Sequence, residues 1–300
     1  MDSVPWLFVE SVCLCLDRKS IERSCWIPSE WRNISSMTLK KLRTLHVCVD
    51  EDNEKLYAAA QNIFARQYFH AVPVDSVDLK FITTFRIKTA WNVSDLPSSW
   101  KEISSNKLKR LCEFIRPTTE GRPPVRYDKL YCNKLDIGKV ASTTKKLLSL
   151  RPPVDSVDLW LKGDDFQAAA EEFSQTAGPL YDINVRCVHL ALKQSTVDAL
   201  IDKFVPVDRG TFNLWGETRM TRDQLETLVL KCEKSSKKVR LQMCLEGATD
   251  SSEVTDFFDF DKHYSTKRVQ KGEVTATRKG AKLELLVESL MGGNFGWEWN

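Results

Sequence analysis

No run in the sequence reaches the roughly eighteen consecutive apolar residues of a membrane span, so no transmembrane helix is expected. An excess of one charge is also missing. Forty-four basic residues face 41 acidic ones, for a net charge of +3. That is too small an excess to gather nucleic acid or an anionic membrane from a distance. Local cations at Lys237, Lys238 and Arg240, and between Lys262 and Lys282, read as solvated faces. Repeated Cys-x-x-Cys pairs are absent, and the nine cysteines are an odd number. Cys13 and Cys15 form a C-x-C in an apolar run with no histidine nearby. Buried free thiols in a reducing compartment fit this pattern better than a disulfide framework or a zinc site. Met1–Leu16 has Asp2 where a secretory leader is basic, and Glu10 interrupts its apolar stretch. A cytoplasmic or nuclear location is therefore expected, with the sequons at Asn33 and Asn92 unused.

Signatures of catalysis are missing too. The chain has no Walker loop, no dinucleotide-binding glycine fingerprint and no Gly-x-Ser-x-Gly elbow. His46, His70, His189 and His263 lie far apart, and none has a partner at metal-ligand spacing. A non-enzyme is expected, with no catalytic residue, cofactor or metal ligand. Asp155, Asp158, Asp164 and Asp165 crowd around one strand end. They read as helix capping and strand-edge solvation rather than an acid–base pair. Asp75 and Asp78 repeat the first two of them in an earlier copy, and a single active site would not need two copies.

What the chain does have is a core and a repeat. Hydrophobic residues make up 42% and charged residues 28% of its 300 positions, a globular balance. The heptapeptide Pro-Val-Asp-Ser-Val-Asp-Leu occurs at Pro73–Leu79 and again, 80 residues on, at Pro153–Leu159. A partial third copy is Pro206-Val207-Asp208, and prolines from Pro73 onward recur at gaps of 24 to 29 residues. That period falls in the range of leucine-rich-type units, each a strand plus a helix.

The elements follow this period in the second half. Strands are expected at 154–162, 184–193, 210–216 and 237–245, and helices at 165–176, 195–205 and 221–234. Their alternation predicts parallel strands. Before Pro153 the phase slips. Strands are expected at 45–49 and 77–82, the latter extended or doubled by 83–92, with helices at 53–69 and 99–115 and a loop at 118–126. After residue 245 an acidic loop leads to a hairpin of 268–277 with 282–287. The aromatic tail Met291–Asn300 is expected to cap the open end of the repeats, with a ligand-facing role as the alternative.

The first forty residues have a different character. Pro5 suits the first turn of a helix, with Ser3 as a possible cap, and Phe8, Val9, Val12 and Leu16 lie on a broad apolar face. A second short helix near Ser20 carries Ile21, and a third opens at Pro28-Ser29-Glu30 and carries Trp31, Ile34 and Met37. Trp6 and Phe8 serve either as anchors for a partner or as core. This pattern resembles the F-box family, whose helical module has a Pro near its start, spaced apolar positions, a short second helix and a Trp in the third. Pro5, Phe8, Val9, Val12, Leu16, Ile21 and Trp31, the last followed by Arg32, stand at matching positions. Val4 replaces the usual Leu, and Cys25-Trp26-Ile27 is an insert. The opening Met-Asp-Ser-Val-Pro is similar to that of divergent, nematode-type members.

The resemblance covers about one seventh of the chain. It implies that Pro5, Trp6, Phe8, Val9, Val12, Leu16, Ile21 and Trp31 bind a Skp-family adaptor in a cullin complex. The expected fold class is thus α/β: a three-helix F-box-like module at 1–40, then an irregular leucine-rich-repeat-like strand–helix solenoid at 41–300, with 246–300 as cap. The implied function is substrate recognition in an SCF-type cullin ubiquitin ligase, the repeats holding an unknown protein target. No nucleic-acid or membrane partner is expected. The alternative is a non-catalytic repeat scaffold for protein–protein interaction with no ubiquitin link.

Overall fold

A computed structural model describes residues 4–64, 70–89, 93–115, 127–138 and 142–300. Among these residues run nine α-helices and thirteen strands, a mixed α/β chain. It divides into two compact units, Met1–Ile137 with Ala141–Val154, and Gly138–Val140 with Asp155–Asn300. Residues 1–40 fall inside the first unit and residues 246–300 inside the second.

The first unit opens with α1 (Trp6–Cys15), α2 (Arg18–Ser24) and α3 (Glu30–Lys41). Each begins where a local group takes the free amides of a first turn. The Pro5 carbonyl accepts from the Phe8 and Val9 amides, the Asp17 carboxylate from Ser20, and the Ser29 hydroxyl from Trp31. Pro5 is the N-cap of α1; the expected cap, Ser3, lies outside the described residues. Val9, Cys13, Ile21 and Ile34 join Leu42, Ile63 and Phe81 in one buried cluster.

The strands of this unit are β1 (Arg43–Asp50), β2 (Lys55–Asn62), β3 (Ile82–Thr89), β4 (Lys101–Ile103) and β5 (Lys134–Ile137), in the order β5-β3-β1-β2-β4. β1 runs antiparallel to β2 and parallel to β3. Two helices follow later in the unit, α4 (Ser105–Phe114) and α5 (Ser142–Ser149). Ile87 of β3, Leu108 and Cys112 of α4 and Leu147 of α5 meet around a small void of about 70 Å³.

Several expected elements differ here. The helix at 53–69 is instead strand β2 as far as Asn62, and 65–69 lie outside the described residues. Ala58, Ala59 and Ala60 favour a helix in isolation, but they are buried in a strand paired with β1 on one side and, on the other, with β4 as far as Ala58 and with Val72 at Ala60. Pairing on both edges outweighs the propensity. The strand at 77–82 is replaced by two 3₁₀ turns, Val74–Ser76 and Leu79–Phe81, before β3 starts at Ile82. The helix at 99–115 splits into β4 and α4, because the Ser104 hydroxyl accepts from the Lys107 amide and starts a helix there. The loop at 118–126 lies outside the described residues.

The second unit alternates strand and helix: β6 (Ser156–Lys162), α6 (Asp164–Thr176), β7 (Asp182–Val188), α7 (Gln194–Lys203), β8 (Thr211–Gly216), α8 (Arg222–Ser235) and β9 (Arg240–Cys244). The four strands are parallel neighbours and start 26, 29 and 29 residues apart. β7 is shorter than expected, since His189 turns to φ 59° just past its end. Gly163, not Asp164 or Asp165, occupies the N-cap of α6, at φ 95°. A capping box of Thr221 and Gln224 starts α8.

In register, Val157, Ile183, Phe212 and Leu241 make one buried row, and Leu159, Val185 and Leu214 the next. The proline period marks strand entries. Val154, Leu180 and Val207 each follow a proline and are buried just ahead of β6, β7 and β8.

The remaining residues form α9 (Phe260–His263) and four antiparallel strands: β10 (Thr266–Gln270), β11 (Glu273–Thr277), β12 (Glu284–Leu290) and β13 (Asn294–Trp299). The expected 268–277 strand is itself a hairpin that turns at Lys271-Gly272, and its second arm then pairs with β12. β13 returns to pair antiparallel with β9, giving the order β10-β11-β12-β13-β9-β8-β7-β6 within this unit. Its Phe295, Trp297 and Trp299 are buried. Trp297 stacks on Phe260 with centroids 6.0 Å apart. The Trp299 indole N–H and the Tyr264 hydroxyl both donate to Glu233 Oε2 at 2.8 Å.

Gly216, at the end of β8, has φ +88°, and a Cβ there would run into the Cys187 carbonyl of β7. Gly216→Ala is therefore expected to cost about 3 kcal/mol or more in urea unfolding. A loss below about 1 kcal/mol would contradict this reading of the strand contact.

Candidate interaction surfaces

The first surface is built on α1. Its sequence is apolar on nearly every side, so periodicity alone could not set which face turns inward. Val9 and Cys13, four residues apart, point into the helical core, and the Cys13 thiol lies 3.4 Å from the Ser35 hydroxyl. Glu10 is buried beside them, and its carboxylate meets Lys80 at 2.8 Å and Lys41 at 3.8 Å. The same two lysines lie over aromatic rings. Lys41 is 5.7 Å from the Trp6 centroid and 5.0 Å from that of Phe81, and Lys80 is 4.8 Å from Phe81. These contacts fix the rotation of α1. With Val9 and Glu10 turned inward, Trp6, Leu7 and Phe8 face solvent at 42%, 64% and 56% exposure.

The eight residues expected to bind an adaptor thus fall into three groups. Pro5, Trp6 and Phe8 are exposed. Val12, Leu16 and Trp31 are half-buried, the last two packed against the helical core. Val9 and Ile21 are buried, so they hold the helices together and are not on the surface. Sequence reasoning missed Leu7, and it passed over Trp26 (78% exposed), Ile27 and Met37, which are exposed as well. Trp26 and Ile27 belong to the three-residue insert. The Arg32 guanidinium donates to the Cys25 carbonyl at 3.1 Å and ties that insert to α3. Two large apolar residues in a short polar link were the available signal.

The second surface is the polar face of β6–β9. Across the register, Asp158, Asn184, Asn213 and Gln242 form one rung, and Trp160, Arg186 and Trp215 another. Asn184 Nδ2 donates to Asp158 Oδ1 at 2.8 Å, the Thr211 hydroxyl donates to the Asp182 carboxylate, and the Arg186 guanidinium lies 5.3 Å from the Trp160 ring centroid. Within the acidic group around β6, Asp155 and Asp158 thus have separate surroundings. Asp158 belongs to the ladder, Asp155 is buried and its carbonyl accepts from the Tyr181 amide, and α6 begins at Asp164. In the earlier copy, Asp75 pairs with Lys107 at 2.9 Å and Asp78 accepts from the Lys80 amide.

The reactive side chains are dispersed. None of the nine cysteines is in a disulfide, and seven are buried. Burial pushes the Cys48 thiol up to about 11 and that of Cys112 up to about 12, so neither is a thiolate nucleophile near neutral pH. His46, edge-on to Trp100, is pushed down to about 3 by burial and then by Arg86 and Lys88. Among the described residues, no group of three or more His, Cys, Asp or Glu side chains could hold a metal ion, and no helix is long and apolar enough to cross a membrane. No family model, curated protein or solved structure matches the chain.

Glu10→Ala removes the acid that both lysines share, while the half-exposed lysines regain water. We expect a loss of about 1–3 kcal/mol by urea denaturation. His46 makes a separate, pH-dependent contribution. Unfolded, it takes a proton near pH 6.5; folded, it does so only near 3. Its share of stability is therefore present above about pH 6.5 and is lost as the pH falls from there toward 3, by up to about 1.4 kcal/mol per pH unit. The same acid titration of His46→Gln should show a shallower slope.

Proposed function

We propose that the protein is the substrate-recognition subunit of an SCF-type cullin ubiquitin ligase, with α1–α3 as the F-box-like docking module. The observation that carries this reading is the run Trp6-Leu7-Phe8. Three consecutive large apolar side chains stand in solvent on a helix whose rotation is fixed from below by buried Glu10 and its half-exposed partner Lys80. Exposed apolar side chains on a rigid support are what an apolar partner covers. A Skp-family adaptor is the partner that the F-box resemblance implies.

The repeating strand–helix part of the second unit then serves as a leucine-rich-repeat-like receptor for a protein target. Its ladder of Asp158, Asn184 and Asn213 and its Trp160–Arg186–Trp215 rung supply polar and aromatic contacts at strand spacing. The mechanism is tethering, which raises the target's effective concentration beside the ligase and needs no chemistry in this chain. Such a subunit works in the cytoplasm or nucleus. A non-catalytic scaffold without a ubiquitin link is the second reading. It is favoured by the burial of Val9 and Ile21, two motif positions that serve the helical core.

Pull-down of a purified Skp-family adaptor by the full chain separates the two. Under the first reading the adaptor is retained, and Phe8→Glu, at an exposed position, weakens retention about tenfold or more with the melting temperature unchanged. A chain that retains no adaptor, or a Phe8→Glu variant that binds like the parent, supports the scaffold.

A further inference from the structure

The β10–β11 hairpin has features that the adaptor and target surfaces leave unused. Between residues 262 and 282 lie seven cations, Lys262, Lys267, Arg268, Lys271, Arg278, Lys279 and Lys282, against the single acid Glu273. This one segment therefore carries more positive charge than the whole chain's net +3. Lys262 and Lys267 are committed to Glu226 and Asp261. Arg268, Lys271, Lys279 and Lys282 take part in no ion pair among the described residues. All five residues of β10 are exposed, including Val269 at 53%. Among the described residues β10 pairs with β11 alone. Every second residue along it therefore directs its amide and carbonyl away from the sheet, into an unpaired ladder.

An open edge invites another strand, and charge decides which one. A second copy of this chain would set Lys267 and Arg268 against their own counterparts, which repel. A neutral strand gains nothing from the cations. An acidic one gains at Arg268, which has no ion pair among the described residues, and at Lys271 beside it; Lys267 and Val269 are directed to one side of the sheet and Arg268 and Gln270 to the other. We infer that the β10 edge binds an extended acidic peptide segment of a protein partner by strand addition. The backbone ladder supplies alignment, and Arg268 and Lys271 supply charge selection. Nucleic acid is disfavoured because β10 offers a peptide-spaced hydrogen-bond ladder and no aromatic side chain for a base to stack on. This inference is independent of the adaptor reading, which concerns α1.

The test is fluorescence anisotropy on the full chain with a labelled twelve-residue peptide of alternating Glu and Thr. Three further probes are its lysine counterpart, the same acidic peptide N-methylated at every second amide, and a single-stranded DNA twelve-mer. The acidic peptide should bind, and the lysine peptide should not. N-methylation keeps the charge but removes the strand hydrogen bonds, and should weaken binding about tenfold. Arg268→Glu with Lys271→Glu should weaken it by a similar factor, with an unchanged melting curve showing that the hairpin persists. Equal affinity for the methylated peptide, binding of the DNA as tight as that of the peptide, or no binding of the acidic peptide would each overturn the proposal. Adaptor retention by α1 is read separately, so failure of one does not imply failure of the other.

Discussion

A parallel strand cannot be followed directly by another; the chain must cross back, and the crossover must cover the sheet it has just built. In the second unit this constraint is met by α6, α7 and α8. Rows such as Val157–Ile183–Phe212–Leu241 run straight across the strands and are shut off from water. β6, β7 and β8 enter in the same way, with a proline that holds the chain extended and an aliphatic residue, Val154, Leu180 or Val207, that plugs the end of the core; β9 enters without a proline, behind buried Val239. The opposite face is left free of helices by the same geometry, and its polar ladder follows from the two-residue alternation.

The repeat ends where the tail returns. Without β13, β9 would expose one edge and the apolar side chains of its row. β13 supplies the missing partner strand, and its Trp297 packs on Phe258 and Phe260 at α9. Glu233 at the end of α8 receives both the Trp299 and the Tyr264 donors, so the tail is also hydrogen-bonded to the last helix. Burial, and then the charge of Glu233 beside it, raise the Tyr264 phenol well above its ordinary range and keep it a donor. The edge moves outward to β10, where cations stand in place of a cover.

The first unit depends on a different device. Three short helices have little core of their own, and Leu42, Ile63 and Phe81 complete it. Glu10 adds a buried charge that meets Lys80 next to Phe81. A buried carboxylate is tolerated only with its cations close by, so α1 can sit in one rotation only. Trp6, Leu7 and Phe8 are exposed as a consequence of that choice.

Periodicity in the sequence located β6 through β9 and the helices between them to within a few residues. There the two-residue and 3.6-residue patterns agree with the local propensities and with the final packing. It also marked three N-terminal helices, at Pro5, near Ser20 and at Pro28-Ser29-Glu30; the cap of the second, Asp17, came from the structure. What it could not decide was anything settled by a partner strand or a distant charge. The alanines of β2 became strand because β1 flanks them on one side and β4 and Val72 on the other. The exposed face of α1 was chosen by Glu10 and two lysines, one of them 70 residues away in sequence. The repeated heptapeptide makes the same point most directly. In both copies the valine after the proline is buried, as the local sequence dictates. Yet Pro73–Leu79 coils into 3₁₀ turns with Asp75 in solvent, and Pro153–Leu159 runs into β6 with Asp155 buried. Seven identical residues carry identical propensities; only the second copy finds β7 alongside it to accept its hydrogen bonds, and a strand is stable only where such a neighbour exists.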